Sequence, residues 1–234
     1  MVPLAIAGPY RSGTSLVAGI CETLGVHLGD TTGRRNVHNP MGYYESPGLA
    51  ELCRRMYRQP WLEEAMPRPR RVAALASWLA TALDSAGSSR VLGGKHPILS
   101  LLVDEVLEGW GERTRFIFVK RPLEEAIASL RKTNWPEWRD QPGSHEHAIR
   151  RLAEAGEHAI ARLGQRCLVV EYHELLERPA AGVDTIAAFL GCAEPQAALS
   201  AATAMIQPGL YRTRRTSAED DDAHGRPPRP PRPH

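Results

Sequence analysis

The residues best suited to chemistry come first in the chain, in Gly8-Pro9-Tyr10-Arg11-Ser12-Gly13-Thr14-Ser15. Gly8 and Gly13 bracket four residues and a hydroxyl pair follows, the spacing of a loop that wraps phosphate with backbone N–H groups. The position that a nucleotide-binding loop gives to lysine holds Thr14, and the one cation inside the loop is Arg11. A phosphate or sulfate cradle is therefore expected without the usual lysine for an ATP γ-phosphate.

Such a loop works only between a strand and a helix. Leu4-Ala5-Ile6-Ala7 reads as a short buried strand, and Val17, Ile20, Cys21 and Leu24 recur at helical spacing, with Gly25 placed to end the helix. A helix starting near Ser12 to Thr14 aims its unpaired amides and the positive end of its dipole at the loop, which favours an anion. Gly13 allows close approach to the backbone. Thr14 and Ser15 add hydroxyl donors. The bland alternative, an ordinary strand-to-helix turn, requires these features to coincide by accident.

The other elements follow from periodicity. Strand-like runs at Pro3–Ala7, Arg90–Gly93, Arg115–Lys120 and Cys167–Tyr172 alternate with helical patterns, which predicts an α/β fold of three layers. A central parallel sheet is flanked by helices, in the manner of P-loop nucleotide-binding folds. Helices are expected after Pro97 and Pro122, each proline at the first helical position, and around Leu49–Arg58, Val72–Ala86, His145–Leu163 and Val183–Leu190. Asn134–Ser144, with Trp135 and Trp138, reads as a loop. Those tryptophans either cover a ligand or pack on their own domain.

In this architecture ligands bind beyond the carboxyl ends of the strands. The strand ends deliver Arg11 to Ser15, then Lys95 and His96, then Lys120 and Arg121, then Glu171, Tyr172 and His173. A metal-dependent NTPase would be expected to place a Mg²⁺-binding carboxylate at such an end, but Phe116-Ile117-Phe118-Val119 runs into Lys120-Arg121. Ser129 lies seven residues beyond Pro122, two helical turns on, and shares a face with Arg121. A further phosphate fits between the two. The site is built for a polyanion bound without a metal.

Composition limits the alternatives. The 234 residues suit one domain, residues 1–216, followed over 217–234 by an acidic run and a Pro/Arg-rich tail that cannot form a core. The net charge of +2 argues against a global nucleic-acid field, so anion recognition must be local. Cys21, Cys53, Cys167 and Cys192 are isolated singles without metal-ligand spacing, which suggests a reducing compartment, and no stretch approaches membrane-spanning length. A soluble cytoplasmic protein is expected, with no nucleic-acid or membrane partner.

These motifs resemble those of the PAPS-dependent sulfotransferases, which use 3′-phosphoadenosine 5′-phosphosulfate. Pro9 to Ser15 is similar to their 5′-phosphosulfate loop, and Arg121 with Ser129 to their 3′-phosphate pair. Gly94-Lys95-His96-Pro97 resembles the Lys-x-Pro segment whose lysine reaches the sulfuryl bridge, with His96 where an Asp is common. Asn39-Pro40-Met41-Gly42-Tyr43-Tyr44-Glu45 resembles a Gly-Tyr-aromatic-Glu segment of bacterial members, and Val169 to Leu176 their late Tyr-Glu-x-Leu strand and turn. The likeness spans about Pro3 to Leu190.

The resemblance implies PAPS as donor, PAP as product, no metal, and a small-molecule, phenol or carbohydrate hydroxyl as acceptor. Arg11, Ser12, Gly13, Thr14, Ser15, Arg121, Ser129, Tyr172 and Arg212 would bind the donor. Arg212 enters through Gly209–Arg215, which stands where related enzymes close over the adenosine. Arg11 and Lys95 would stabilise charge on the leaving oxygen. Glu45 is the first choice of base, against a plain helix-start carboxylate, and His96 the second, against an N-cap role. Two rivals stand beside this reading: a P-loop small-molecule kinase or NTPase, and a catalytically silent nucleotide-binding module whose PxxP tail docks aromatic grooves.

Overall fold

The computed structural model describes residues 1–31, 39, 42–87, 89–133, 135–191 and 195–207. Strands β1 (Val2–Ala7), β4 (Val91–Lys95), β5 (Arg115–Lys120) and β6 (Cys167–Glu171) form one sheet in the order β4-β1-β5-β6, with every pairing parallel. Ala5 pairs with Gly94 on one side and Phe116 on the other, so β1 is central. Its carboxyl end is flanked by those of β4 and β5.

Alternation along the strands explains the layers. Leu4, Ile6, Ile117 and Val119 face helices α1 (Thr14–Thr23), α9 (Pro179–Leu190) and α10 (Gln196–Ala204). Ala5, Ala7, Phe116 and Phe118 face the other way, into a core shared with α2 (Pro47–Met56), α3 (Arg68–Ser85), α4 (Val103–Trp110), α5 (Leu123–Arg131) and α7 (Ser144–Leu163). Burial on both faces is what continuous apolar strands demand. The three-layer α/β expectation is met. Among the described residues no helix is long and apolar enough to cross a membrane.

Differences from expectation have local causes. The stripe after Pro97 is not one helix: Pro97–Leu101 is a 3-10 turn, and α4 begins only at Val103. Ile98, Leu99 and Leu102 are all fully buried, and Ser100 is drawn inward to accept the Gly8 N–H at 3.1 Å, so this segment follows the core rather than the helical repeat. Pro122 stands at the N-cap, one residue before the first helical position of α5. Helix α2 starts at Pro47 and stops at Met56, because Tyr57–Arg58 (β2) pairs antiparallel with Glu63–Glu64 (β3). Arg71 secures that hairpin, reaching Glu64 at 2.9 Å and the buried Glu105 at 2.7 Å.

The Asn134–Ser144 segment contains a short helix, α6 (Pro136–Arg139), which seats Trp138 fully in the core. Tyr172 does not end β6 but opens α8 (Tyr172–Glu177). Cys21 and Cys53 are buried and Cys167 is partly so. Asn134, Cys192, Arg212 with the rest of Gly209–Arg215, and the 217–234 tail lie outside the described residues.

Candidate active site

The loop after β1 takes positive φ at three positions, Gly8 at 142°, Arg11 at 65° and Gly13 at 102°. A left-handed arginine is uncommon and is held only where its surroundings enforce it. At Gly13 the reason for glycine is also spatial, since a Cβ there would lie 2.4 Å from the Tyr172 ring. Leu16 N–H and Val17 N–H both donate to Gly13 O, so the amides of Gly13, Thr14 and Ser15 precede the first intrahelical bond of α1.

Two groups of side chains flank this helix end. On the β5 side, Arg11 Nε donates to Ser129 Oγ at 3.1 Å, and Arg121 Nη1 donates to the Arg11 carbonyl at 3.2 Å. Arg121 also donates from Nε to Glu125 at 3.1 Å, and its guanidinium lies 4.8 Å from the centre of the Tyr172 ring. Burial lowers the Arg11 pKa from its ordinary value; Tyr43 opposes that shift and the Arg121 cation adds to it. Two neighbouring cations repel each other, and an anion between them relieves the repulsion.

On the β4 side stands a buried ion pair. Lys95, 2 % exposed, donates from Nζ to Glu45 Oε1 at 2.6 Å, to Ser15 Oγ at 3.2 Å and to the Tyr43 carbonyl at 3.2 Å. Those three bonds match the three donors of an ammonium. Glu45 reaches this point because the segment Gly42 to Ser46 lies over α1, where Gly19 leaves room for the Tyr44 ring. A Cβ at Gly19 would meet that ring at 2.8 Å. Burial opposes ionisation of Glu45, but Lys95, with His96 and Arg54 adding to it, outweighs burial and holds the carboxyl below its ordinary range.

His96 is buried at the N-cap of the 3-10 turn, where its Nδ1 accepts the Ile98 N–H at 3.2 Å. Burial pushes the imidazole down to about 4, against the attraction of Glu45. It is neutral at pH 7, and with Nδ1 accepting, the ring proton resides on Nε2. His96 therefore offers a donor rather than a lone pair.

The fold thus brings together the sequence-selected Arg11, Ser12, Gly13, Thr14, Ser15, Glu45, Lys95, His96, Arg121, Ser129 and Tyr172 around one helix N-terminus. The Arg11 side chain bonds Ser129 and interacts electrostatically with Tyr43 and Arg121. Trp138 packs on Tyr10 at 5.5 Å between ring centres, inside the core. Glu125 and Ser100 join the site without having been selected from the sequence. Glu125 was legible as the i+4 partner of Arg121. Ser100 carried no signal, because its bond to Gly8 spans 92 residues.

Ser12 Oγ tests whether a phosphate-like group suits the loop. It is buried, and no hydrogen-bond partner accompanies it among the described residues. A hydroxyl so placed costs free energy unless a ligand oxygen engages it. Together with three leading amides and the Arg11/Arg121 pair, it fits an anionic group bound at this loop.

Residues 3–196 match the model of the Sulfotransferase family. Sulfotransferase STF1 from Mycobacterium tuberculosis is similar in structure, with a TM-score of 0.60 at 15% identity over 90% of this chain and 73% of that one. Sulfotransferase STF9 from Mycobacterium avium gives 0.57 at 14% identity, over 86% of this chain and 66% of that one. The sulfotransferase domain of the Synechococcus PCC 7002 olefin synthase gives 0.51 at 16% identity, over 85% and 75% respectively. No curated protein matches this chain in sequence. With a central parallel sheet and a family match across most of its length, the chain belongs to the sulfotransferase family.

Proposed function

We propose that this chain transfers a sulfuryl group from PAPS to a hydroxyl of a small molecule, phenol or carbohydrate by in-line displacement. The observation that carries the reading is the pair of side-chain groups on either side of the α1 N-terminus. Arg11, Arg121 and Ser129 stand on one side, and Lys95 with Glu45 on the other.

In this reading the leading amides of α1 with Ser12, Thr14 and Ser15 hold the 5′-phosphosulfate. Arg11, Arg121 and Ser129 hold the 3′-phosphate, and the Tyr172 ring supports Arg121. PAPS supplies an activated sulfuryl group and departs as PAP. Lys95 stabilises the charge that grows on the oxygen leaving sulfur, a contribution realised only in the transition state. Glu45 takes the proton of the acceptor hydroxyl as its oxygen bonds to sulfur. His96 is assigned a supporting role, donating from Nε2, because its other ring nitrogen is occupied by Ile98.

Thermal stability in the presence of PAP, ADP or ATP tests the assignment. PAP in EDTA is expected to raise the melting temperature more than ATP with or without Mg²⁺. A ligand at 100 times its Kd adds about 2.7 kcal/mol. Stabilisation by Mg-ATP alone would overturn the donor assignment in favour of a P-loop kinase or NTPase.

A further inference from the structure

The Arg121 guanidinium is oriented more fully than a single ligand contact needs. Its Nε donates to Glu125 Oε2 at 3.1 Å, its Nη1 to the Arg11 carbonyl at 3.2 Å, and its face lies 4.8 Å from the Tyr172 ring centre. The side chain is 6% exposed, so this is not a loose surface pair. Glu125 is held in turn: His173 Nε2 lies 3.1 Å and 3.0 Å from its two carboxylate oxygens. A chain of contacts therefore runs from His173 in α8 through Glu125 in α5 to Arg121 and the phosphate loop.

A carboxylate beside a cation meant for phosphate looks counterproductive, since it offsets part of the charge that the ligand would meet. The geometry gives it a different use. Arg121 stands beside Arg11, and an unrestrained guanidinium would swing away from that like charge. Glu125 fixes the Nε edge, and the plane of the group, with its two terminal nitrogens, is thereby set. Ordering a side chain before the ligand arrives lowers the cost of binding.

We propose that Glu125, itself buttressed by His173, is a positioning residue that selects for a 3′-phosphate by holding Arg121 in its binding orientation. The inference rests on the sulfotransferase donor reading above. Glu125 acts through Arg121 and touches neither the acceptor nor the reacting atoms.

Calorimetric titration with PAP and with adenosine 5′-phosphate separates the possibilities. Wild type is expected to prefer PAP. Glu125→Ala should weaken PAP about tenfold while changing adenosine 5′-phosphate less than about twofold. Glu125→Gln, which keeps an oxygen for Arg121 Nε, should restore PAP affinity to within about twofold of wild type. In an Arg121→Ala background, adding Glu125→Ala should have no further effect on PAP, because the residue through which it acts is gone. His173→Ala, at a half-exposed position, gives a second route to the same readout should Glu125→Ala fold poorly, with a smaller loss confined to PAP. Equal losses for both ligands, or unchanged PAP affinity in Glu125→Ala, would overturn the proposal. A wild-type protein that does not prefer PAP would overturn the donor reading itself, and the positioning role with it.

Discussion

Arg11 and Ser129, 118 residues apart, are joined by a hydrogen bond of 3.1 Å from Nε to Oγ. The Arg11 carbonyl accepts from Arg121, which directly precedes the N-cap of α5. The segment from Arg121 to Ser129 therefore holds Arg11 by both its main chain and its side chain. Arg11 thereby meets Ser129 with its side chain and Arg121 with its main chain.

The first prediction concerns that grip. Arg121→Ala should weaken PAP by about ten- to a hundredfold, the worth of a charge-assisted hydrogen bond of about 1.5–3 kcal/mol. Ser129→Ala should cost about three- to tenfold, in line with a bond worth about 1 kcal/mol. Neither should alter adenosine 5′-phosphate binding appreciably. Titration calorimetry with both ligands decides, and equal losses for the two would remove the 3′-phosphate assignment.

The second concerns Lys95 and Glu45, whose ion pair is buried at 2 % and 20 % side-chain exposure. Removing one member leaves a buried charge, so Lys95→Met or Glu45→Gln alone should lose about 3–5 kcal/mol of stability. The double variant should recover much of that loss in chemical denaturation. It should remain inactive, with kcat lowered by at least about 10²-fold and PAP affinity within a few-fold of wild type. Near-normal turnover in Glu45→Gln would transfer the role of base elsewhere.

Gly13 supplies a third test. Its φ of 102° and the Tyr172 ring, 2.4 Å from where a Cβ would stand, both exclude a side chain. Gly13→Ala should lower stability by about 1–3 kcal/mol, the cost of a strained backbone position, and abolish PAP binding. Tyr172→Ala would open the space without relieving the backbone, so the double variant should stay impaired. Full recovery would mean that only the clash mattered.

His96 gives a pH dependence with a definite sign. Its folded value is about 4 against an ordinary 6.5, so between those values the unfolded chain binds the extra proton. Stability should therefore be fully present above about pH 6.5 and fall by up to about 3 kcal/mol as the pH drops toward 4, then level as far as this group is concerned. His96→Asn keeps an acceptor for the Ile98 N–H but does not titrate. Urea denaturation at pH 7 and pH 5 should show a smaller drop for the variant than for wild type. Equal drops would show that other groups set the acid sensitivity.

Period and punctuation along the chain were enough to read the alternating strands and helices, the loop from Gly8 to Ser15 and the Arg121/Ser129 pair. Each depends on residues near one another in sequence, where helical and strand repeats dictate what shares a face. The same locality explains the misreadings. Leu99 and Leu102 keep a helical repeat across a 3-10 turn because core burial, rather than the repeat, directs that stretch. Tyr57–Arg58 leaves the preceding helix to pair with a strand no periodicity announces.

Which partners meet was decided by the tertiary structure. Lys95 contacts Glu45 across 50 residues, and Arg11 contacts Ser129 across 118. That Arg11 reaches Ser129 depends on the left-handed turn at Arg11 and on α5 lying beside the loop. Whether His96 has a lone pair to offer depends on an Ile98 amide that the 3-10 turn aims at Nδ1. The sequence alone determined which chemical groups the strand ends carry. The packing of separate elements determined their directions and protonation, because burial and long-range contact set the electrostatics of each group.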